Sequence, residues 1–436
     1  MMLAQLFDPG LDLFPLTAAV LAVVTCGLLG NFLLLRRQSL MGDAISHSVL
    51  PGLVVAFLVT SSRNPMLMFA GAAVAGVLTV VLIELVKKLG RVEPGAAMGV
   101  VFSVMFALGV LLIERAAARH VDLDADCVLY GQLETLAWFE APMTIAGLWS
   151  WATIEAIPRQ VWMLLVMCTL AFAFVAMLFK ELRIAAFDPG LATSQGIHAG
   201  AMHYVLMVFV AAATVASFEA VGSILVIAML IAPAATARLL TDRLWTQVVA
   251  SVLIAVSAAV MGYFGATAVP ALFDAPSVNA AGSITVVAGM VVGAAAIASP
   301  SHGLLIRAWR RNRLGRTAAI DDLLTTLLRF DESGQHAGSF DDLLAVGLQQ
   351  PSRVAQWATR RGLIQSAAEP VTLTDDGRRR ALVVLRNHRL WESYLVQDAG
   401  LAEDHVHEPA HRFEHLSVEP PGDADIDPHG RPIPRV

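Results

Sequence analysis

The stretch that decides the fold is RRQSLMGDAISHSVLPG at residues 36–52, which joins a long apolar segment (residues 14–35) to a shorter one (residues 49–59). Asp43 and His47 stand four positions apart, so a helix would place them on one face. An ionisable pair at the edge of an apolar segment is costly in hydrocarbon and indicates a functional site in a membrane protein. Carboxylate plus imidazole is also a ligand set that suits divalent transition metals. Spacing alone equally allows a polar surface loop in which His47 bonds only the backbone.

The composition is that of a membrane protein. Hydrophobic residues make up 56% of the 436 positions and charged residues only 15%, which is too apolar for a soluble domain and predicts several membrane spans. The charge is unevenly spread, because residues 1–316 carry a net charge of +1 and residues 317–436 a net charge of −7. A nearly neutral membrane part is therefore followed by an acidic part of the size of a soluble domain.

Hydropathy predicts about nine membrane-spanning helices. The piece at residues 49–59 is the weakest, and Pro51 and Gly52 at its start indicate a broken or re-entrant helix. The apolar segments are residues 14–35, 49–59, 67–86, 96–113, 161–179, 204–217, 221–235, 248–269 and 284–298.

The loops between these segments predict the orientation. One alternate set of loops carries nine basic residues and the opposite set carries four, so the positive-inside rule makes the first set cytoplasmic. This places the N-terminus outside and the acidic tail inside. The predicted fold is an all-α polytopic membrane protein followed by a cytoplasmic α+β domain.

A loop in the middle of the chain is a candidate docking site for a partner. The chain has three lysines, and none lies in a Gly-rich phosphate loop before Ser or Thr, so any ATP must be hydrolysed by another subunit. In the loop AFDPGLATSQGI (residues 186–197), Asp188 can cap a short helix that begins at Pro189, and Gly196 can end it. Capped helices of this kind are common, so the local pattern also allows a plain loop helix.

A third stretch, SFEAVGSILVIAMLIAPAATAR at residues 217–238, combines small residues suited to close helix packing with a helix-bending Pro233. Together with the stretches around Asp43 and Asp188, it resembles the membrane subunits of ATP-binding-cassette importers for manganese, zinc or iron. The resemblance covers roughly residues 14–300.

That resemblance implies roles for particular residues and partners. It places Asp43 and His47 on the metal path. It implies a pore of two permeases, identical or different, with two cytoplasmic ATPases and an extracytoplasmic metal-binding protein. It marks as the ATPase-docking segment Phe187, Asp188, Pro189, Ala192 and Gly196. Glu219, at the outer end of its span, either lines the mouth of the path or faces water, and the sequence favours neither.

The acidic tail has the element order of a winged helix. Apolar residues at helical spacing predict short helices at residues 320–330, 340–346 and 351–361, the last two as a helix-turn-helix-like pair. Two strands around a wing are expected at residues 363–364 and 371–374, followed by a helix from Asp375 or Asp376. The predicted domains are a permease domain (1–303), a basic linker (304–317), a winged-helix-like domain (318–380) and a metal-binding and dimerisation domain (381–436).

Histidines are concentrated in the last part of this tail, where five of the twelve lie between residues 388 and 415. His388 and Glu392 are four apart, as are His407 and His411, so helices would project them together as metal ligands. Helical charge decoration is the alternative, and it would explain two or three of the histidines.

The tail resembles the iron- and manganese-dependent (diphtheria-toxin-type) repressor family along most of residues 318–434. The resemblance implies one metal position at His388, Glu392 and His407 and a second at His411, Glu414 and His415, with Asp322 as a further ligand. His411 departs from the Cys or Glu common there, and Thr325 stands where manganese-type members have Glu. The preference among manganese, iron and zinc is therefore left open.

The sequence favours a membrane permease subunit, rather than an enzyme, of an ATP-driven importer in the bacterial cell (inner) membrane. Its tail would be a cytoplasmic metal sensor that also dimerises. DNA is a conceivable partner of the tail but not a favoured one, because non-specific DNA affinity rests on basic surface and this tail is acidic. The alternatives are a membrane-anchored, metal-responsive transcription regulator and an ion-driven carrier without an ATPase.

Overall fold

The computed structural model describes residues 8–60, 64–117, 131, 133–136, 138, 157–332, 339–415, 421 and 424–434. Its helices belong to two compact units, Met1–Leu305 and Ile306–Val436. In the first unit they are α1 (Pro9–Leu35), α2 (Met41–Thr60), α3 (Pro65–Gly90), α4 (Pro94–Ala117), α5 (Arg159–Met177), α6 (Phe179–Phe187), α7 (Pro189–Ser194), α8 (Ala199–Leu240), α9 (Leu244–Ala271) and α10 (Ala280–Ala298). In the second they are α11 (Leu304–Glu332), which begins in the first unit, α12 (Phe340–Ala345), α13 (Pro351–Thr359), α14 (Asp375–Gln397) and α15 (His407–Phe413).

Eight helices of the described residues are long and apolar enough to cross a membrane: α1 to α5, α8, α9 and α10. The polytopic, mainly helical fold predicted from hydropathy is therefore present. The count differs from the predicted nine at one place, where the segments 204–217 and 221–235 belong to the single 42-residue helix α8.

The helix α8 turns back on itself at Gly222, whose φ of 76° and ψ of 167° are not helical. Phe218, before the turn, packs with Val49 in the middle of α2. Leu230, after the turn, lies against Gly42 at the start of α2. His203, near the start of α8, contacts Arg36 just before α2, so the first arm runs along α2 from its start towards Val49. A straight helix would then carry Leu230 about 18 Å beyond Phe218, away from Gly42. The two arms of α8, residues 199–221 and 223–240, therefore correspond to the two predicted segments, although the residue that joins them, Gly222, falls inside the second predicted segment.

Buried polar contacts fix the C-terminal end of α1 against α8 and α9. Asn31 donates to Ser251 Oγ at 2.6 Å and accepts from Gln247 Nε2 at 3.0 Å. Gly30 approaches the Leu230 carbonyl so closely that a Cβ there would collide with it. Small residues and interhelical hydrogen bonds are the usual means of close packing in membranes. The chain segment that leads to Asp43 therefore begins at a helix end that is held in place.

In the second unit, leucines of α11 form a core with residues of α12, α13 and α14. The two strands expected at residues 363–364 and 371–374 are reduced to one antiparallel bridge between Ile364 and Leu373. Two backbone bonds flank it, from Gln365 to Thr372 and from Thr374 to Leu363. Because this pairing is too short for a ladder, the described residues contain no strand, and the α+β expectation was wrong for this part of the chain.

Candidate metal sites

Asp43 and His47 lie in the first two turns of α2, on one face as their spacing predicted. His47 Nε2 is 3.4 Å from Asp43 Oδ1, and both side chains are partly exposed. The imidazole ring lies against Phe102 and Phe106 of α4, with centroids 4.9 and 5.4 Å away. The two phenyl rings hold the imidazole with its Nε2 towards the carboxylate of Asp43. The pair therefore offers two potential metal-ligand atoms close to each other.

Glu219 is engaged in an ion pair. Arg159 Nη2 donates to both carboxylate oxygens at 2.9 Å, and Gln160 adds a bond at 3.3 Å. The structure therefore ties Glu219 to the start of α5. Among the described residues, no third His, Cys, Asp or Glu completes a group of three with Asp43 and His47.

The predicted docking segment forms the short helix α7. Asp188 Oδ1 accepts from the backbone N–H groups of Gly190 and Leu191 at 2.9 and 3.0 Å, and Pro189 is the first helical residue. Gly196 follows the helix with a φ of +80°. Ala192 is fully buried, whereas Phe187 is 61% exposed. The exposed apolar side chain at the end of α6 therefore lies next to the capped first turn of α7.

The first ligand group of the tail is built on α14 and α15. His388 and Glu392 lie one turn apart in α14, with Nε2 of His388 3.1 Å from Oε1 of Glu392. His407 Nδ1 is 2.9 Å from the same oxygen and 3.1 Å from His388 Nε2. His388 and Glu392 are buried, and His407 is exposed. The three residues implied by the repressor resemblance therefore converge.

The second ligand group contains Asp322, His411, Glu414 and His415. Glu414 Oε1 lies 2.7 Å from His411 Nδ1 and 3.4 Å from His415 Nε2. His415 Nε2 is also 3.3 Å from Asp322 Oδ1. The other oxygen of Glu414 is 2.5 Å from His388 Nδ1. One buried carboxylate therefore joins the two groups, which the sequence did not predict.

Hydrogen bonds set the charges within these groups. Burial opposes a charge on His388, but hydrogen bonds to Glu392 and Glu414 outweigh it and raise the pKa of His388 to about 9. Burial would raise the pKa of Glu392, yet hydrogen bonds from His388 and His407 lower it to about 2. The pKa of His415 is raised to about 9 because its bonds to Asp321 and Asp322 outweigh burial. Carboxylates and protonated imidazoles thus compensate each other where a cation would otherwise do so.

The donor set fits a resident divalent transition metal. Imidazole and carboxylate are ligands of manganese, iron and zinc. Two atoms of the second group are buried and make ion-pair contacts without a well-formed hydrogen bond: Asp322 Oδ1 lies 3.3 Å from His415 Nε2, and His415 Nδ1 lies 3.7 Å from Asp321 Oδ2. A bound cation would give such buried polar atoms a stronger partner. A cavity of about 470 Å³ opens beside His388, His411 and Glu414 and gives an ion access.

A buried ion pair that the sequence did not single out supports the second group. Arg380 of α14 donates to both oxygens of Asp321 at 2.9 and 2.8 Å. The side chain of Asp321 is 2% exposed, and although burial raises its pKa, hydrogen bonds from His415 and Arg380 lower it below the usual value. The pair ties α11, which supplies Asp322, to α14. The one sequence signal for this ion pair was the presence of two consecutive aspartates, Asp321 and Asp322, in an otherwise apolar part of α11.

Comparison with protein families gives two matches. The profile of the ABC 3 transport family matches residues 14–146 and 151–299. The profile described as iron dependent repressor, metal binding and dimerisation domain matches residues 374–420. The second match contains His388, Glu392, His407, His411, Glu414 and His415.

Individual relatives match most of the chain. The manganese transport system membrane protein MntD of Bacillus subtilis (strain 168) is 40% identical over 295 residues, 68% of this chain and 94% of MntD. The zinc transport system membrane protein TroD of Treponema pallidum (strain Nichols) is 36% identical over 366 residues, 82% of this chain and 95% of TroD. The latter match is longer than the first compact unit, so it includes part of the second.

A solved structure is similar as well. It is described as PsaBC from Streptococcus pneumoniae in complex with Fab, and a chain of it superposes with a TM-score of 0.54 at 28% sequence identity. The match covers 69% of this chain and 98% of that chain.

Proposed function

The chain belongs to the ABC 3 transport family, and from this premise we propose that it is the membrane subunit of an ATP-driven importer of divalent manganese, iron or zinc. The two relatives described above are manganese and zinc transport proteins. The observation that carries the proposal is the Asp43–His47 pair, held at 3.4 Å in the first turns of an apolar span. In a span, an ionisable pair that forms no larger group with a third His, Cys, Asp or Glu of the described residues is best explained by a polar cargo.

The pair suits passage rather than storage. Two donors are fewer than the four to six ligands of these ions, roughly counted, so water would fill the remaining positions. A partly hydrated ion is released more readily than one in a closed protein cage. The partial exposure of both side chains supports this role, and Glu219, bound to Arg159, is assigned at most to the mouth of the path.

Energy would enter through α7. The segment from Phe187 to Gly196 is short, capped by Asp188 and exposed at Phe187. These properties suit a docking site for a cytoplasmic ATPase. In this assignment the ends of α1 and α8 face the cytoplasm, and an extracytoplasmic protein delivers the ion to the other side. Two permease copies, identical or different, would form the pore within the bacterial cell membrane.

The tail would be a cytoplasmic metal sensor that dimerises and feeds back on transport. Its support is the convergence of seven potential ligands around the shared Glu414. When the cell is replete, an ion bound there would favour the closed pore and lower uptake. By linkage this effect cannot exceed the difference in metal affinity of the tail between the two states of the pore.

Accumulation of manganese, iron and zinc in cells that lack the protein tests the proposal. Restoring the wild type is expected to restore accumulation of at least one ion, and His47→Ala is expected not to. Asp404→Ala, an exposed carboxylate of the tail, serves as a control that restores it. Normal accumulation of all three ions without the protein would contradict the proposal.

Two further measurements separate the alternatives. Uptake that survives loss of the ATPase subunit would favour an ion-driven carrier. Specific DNA binding by the full-length protein, with altered transcription and normal uptake, would favour an anchored regulator.

A further inference from the structure

Three largely buried polar side chains, two from helices and one from the residue after α1, are joined by hydrogen bonds. Arg36 directly follows α1, Glu84 lies in α3, and His203 lies in the second turn of α8. Arg36 Nη1 is 3.1 Å from His203 Nδ1, and His203 Nε2 is 3.1 Å from Glu84 Oε1. Lys87 donates to the same oxygen of Glu84 at 3.0 Å. The side chains of His203 and Glu84 are only 14% and 7% exposed.

The chemistry of the three groups fixes the direction of these bonds. A guanidinium can only donate, so His203 Nδ1 accepts from Arg36 and carries no proton. The proton is therefore on Nε2, which donates to the Glu84 carboxylate. A neutral imidazole thus links a cation to an anion. Its removal would cost the Arg36 guanidinium and the Glu84 carboxylate one hydrogen bond each, in a site with little access to water.

One end of this chain of bonds is fixed to the docking helix. After α7, Ile197 N donates to the Ala192 carbonyl at 2.9 Å, which holds the segment between α7 and α8. Met202 N donates to the His198 carbonyl at 3.0 Å and so begins α8. Only eight residues separate Ser194, the last residue of α7, from His203. A displacement of α7 therefore reaches His203 through a short bonded segment.

The other end is fixed to the segment that bears the metal pair. Gln38 N donates to the Leu33 carbonyl at 2.9 Å, and Met41 N donates to the Gln38 carbonyl at 3.0 Å. This tight linker joins Arg36 to the start of α2, and Asp43 is two residues further on. The linker has little freedom to absorb a movement of Arg36.

We infer that His203 is the positioning residue through which a movement of the docking helix α7 reaches the Asp43–His47 pair. The inference rests on the proposed function and specifies its coupling route. His203 receives the movement at the start of α8 and passes it to Arg36, while Glu84 holds the imidazole in the accepting tautomer. Such a route is established only by a measured coupling.

The test uses the full chain reconstituted with its ATPase subunit in proteoliposomes. Uptake of Mn²⁺, Fe²⁺ and Zn²⁺ is measured together with ATP hydrolysis. For the transported ion, His203→Ala is expected to lower the number of ions moved per ATP by about tenfold, the effect of losing a hydrogen bond from a neutral group to a charged one. His203→Gln is expected to restore most of the ratio, because its amide can accept from Arg36 and donate to Glu84.

Tyr204→Phe is the matched control. Lys88 Nζ donates to Tyr204 Oη at 3.1 Å, so this pair also joins α3 to α8, one residue further on, but it does not contact Arg36. Its removal is expected to leave the ratio of ions to ATP unchanged. A structural role of the α3–α8 contact would instead affect both variants alike.

A wild-type ratio in His203→Ala would overturn the inference, and so would an equal fall of uptake and ATP hydrolysis. If His203→Ala does not assemble, Arg36→Met provides the same comparison, since it leaves the His203–Glu84 bond in place; an unchanged ratio there also overturns the inference. Absence of ATP-driven uptake of all three ions by the wild type is a separate result, which contradicts the proposed function itself.

Discussion

At the residue scale, the protonated histidines of the tail determine how metal binding depends on pH. The pKa values of His388 and His415 are both about 9, so near neutral pH an incoming ion must displace both protons. Filling both groups is expected to release about two protons, and the apparent affinity is expected to rise with pH up to about 9. Titration calorimetry in buffers of different ionisation enthalpy measures this release, and heats independent of the buffer would contradict it.

The buried Asp321–Arg380 pair sets the stability of the second ligand group. Arg380→Met leaves the buried Asp321 carboxylate with His415 but without its closer cation. This is expected to cost about 2 kcal/mol, less than for a fully buried pair because Arg380 is 44% exposed. Arg379→Met removes the exposed pair with Asp376 and is expected to change almost nothing. Hydrogen exchange of α11 and α14 in the full-length protein measures both, and equal effects would contradict this assignment.

Sequence spacing predicted that His388 and Glu392 would lie together, because helical neighbours four apart share one face. It could not predict which helices meet. The sharing of Glu414 depends on the docking of α15 against α14, and the Asp321–Arg380 pair joins residues 59 positions apart. Contacts of this kind arise from tertiary packing, and the local periodicity of the sequence carries no information about them.

At the element scale, Gly222 is the residue that allows α8 to reverse. Its φ and ψ of 76° and 167° are almost confined to glycine, and the backbone of Gly131 packs directly against it. Gly222→Ala is expected to destabilise the membrane unit by about 1–3 kcal/mol, seen as a lower melting temperature in detergent. Gly200→Ala in the same helix meets no atom and is the control; equal melting temperatures of the two variants would contradict the role of the turn.

Hydropathy located the spans because burial in lipid requires long apolar runs, and its gap at residues 218–220 lies just before the turn of α8 at Gly222. It could not reveal that a single glycine joins the two arms of α8 without a loop. For the wing, local composition predicted more regular structure than the described residues contain. Residues 363–364 and 371–374 have the composition of strands, but their pairing stops at the Ile364–Leu373 bridge.

At the scale of the whole molecule, the tail is expected to limit uptake when metal is abundant. The double variant His411→Ala/His415→Ala removes two ligands of the second group and is expected to raise metal accumulation in replete cells by several-fold, within the range of roughly 5- to 150-fold typical of coupled sites. His405→Ala, an exposed histidine outside both groups, is the control. Accumulation equal to that of wild type in the double variant would contradict feedback by the tail and leave transport untouched.

The most direct test of the account is ATP-dependent uptake by proteoliposomes that contain this chain and its ATPase subunit. Wild-type protein is expected to accumulate at least one of Mn²⁺, Fe²⁺ and Zn²⁺ when ATP is present and none when it is absent. Asp43→Asn and His47→Gln, which keep the size of each side chain, are expected to abolish that accumulation. Undiminished uptake by both variants would contradict the claim that the Asp43–His47 pair carries the ion.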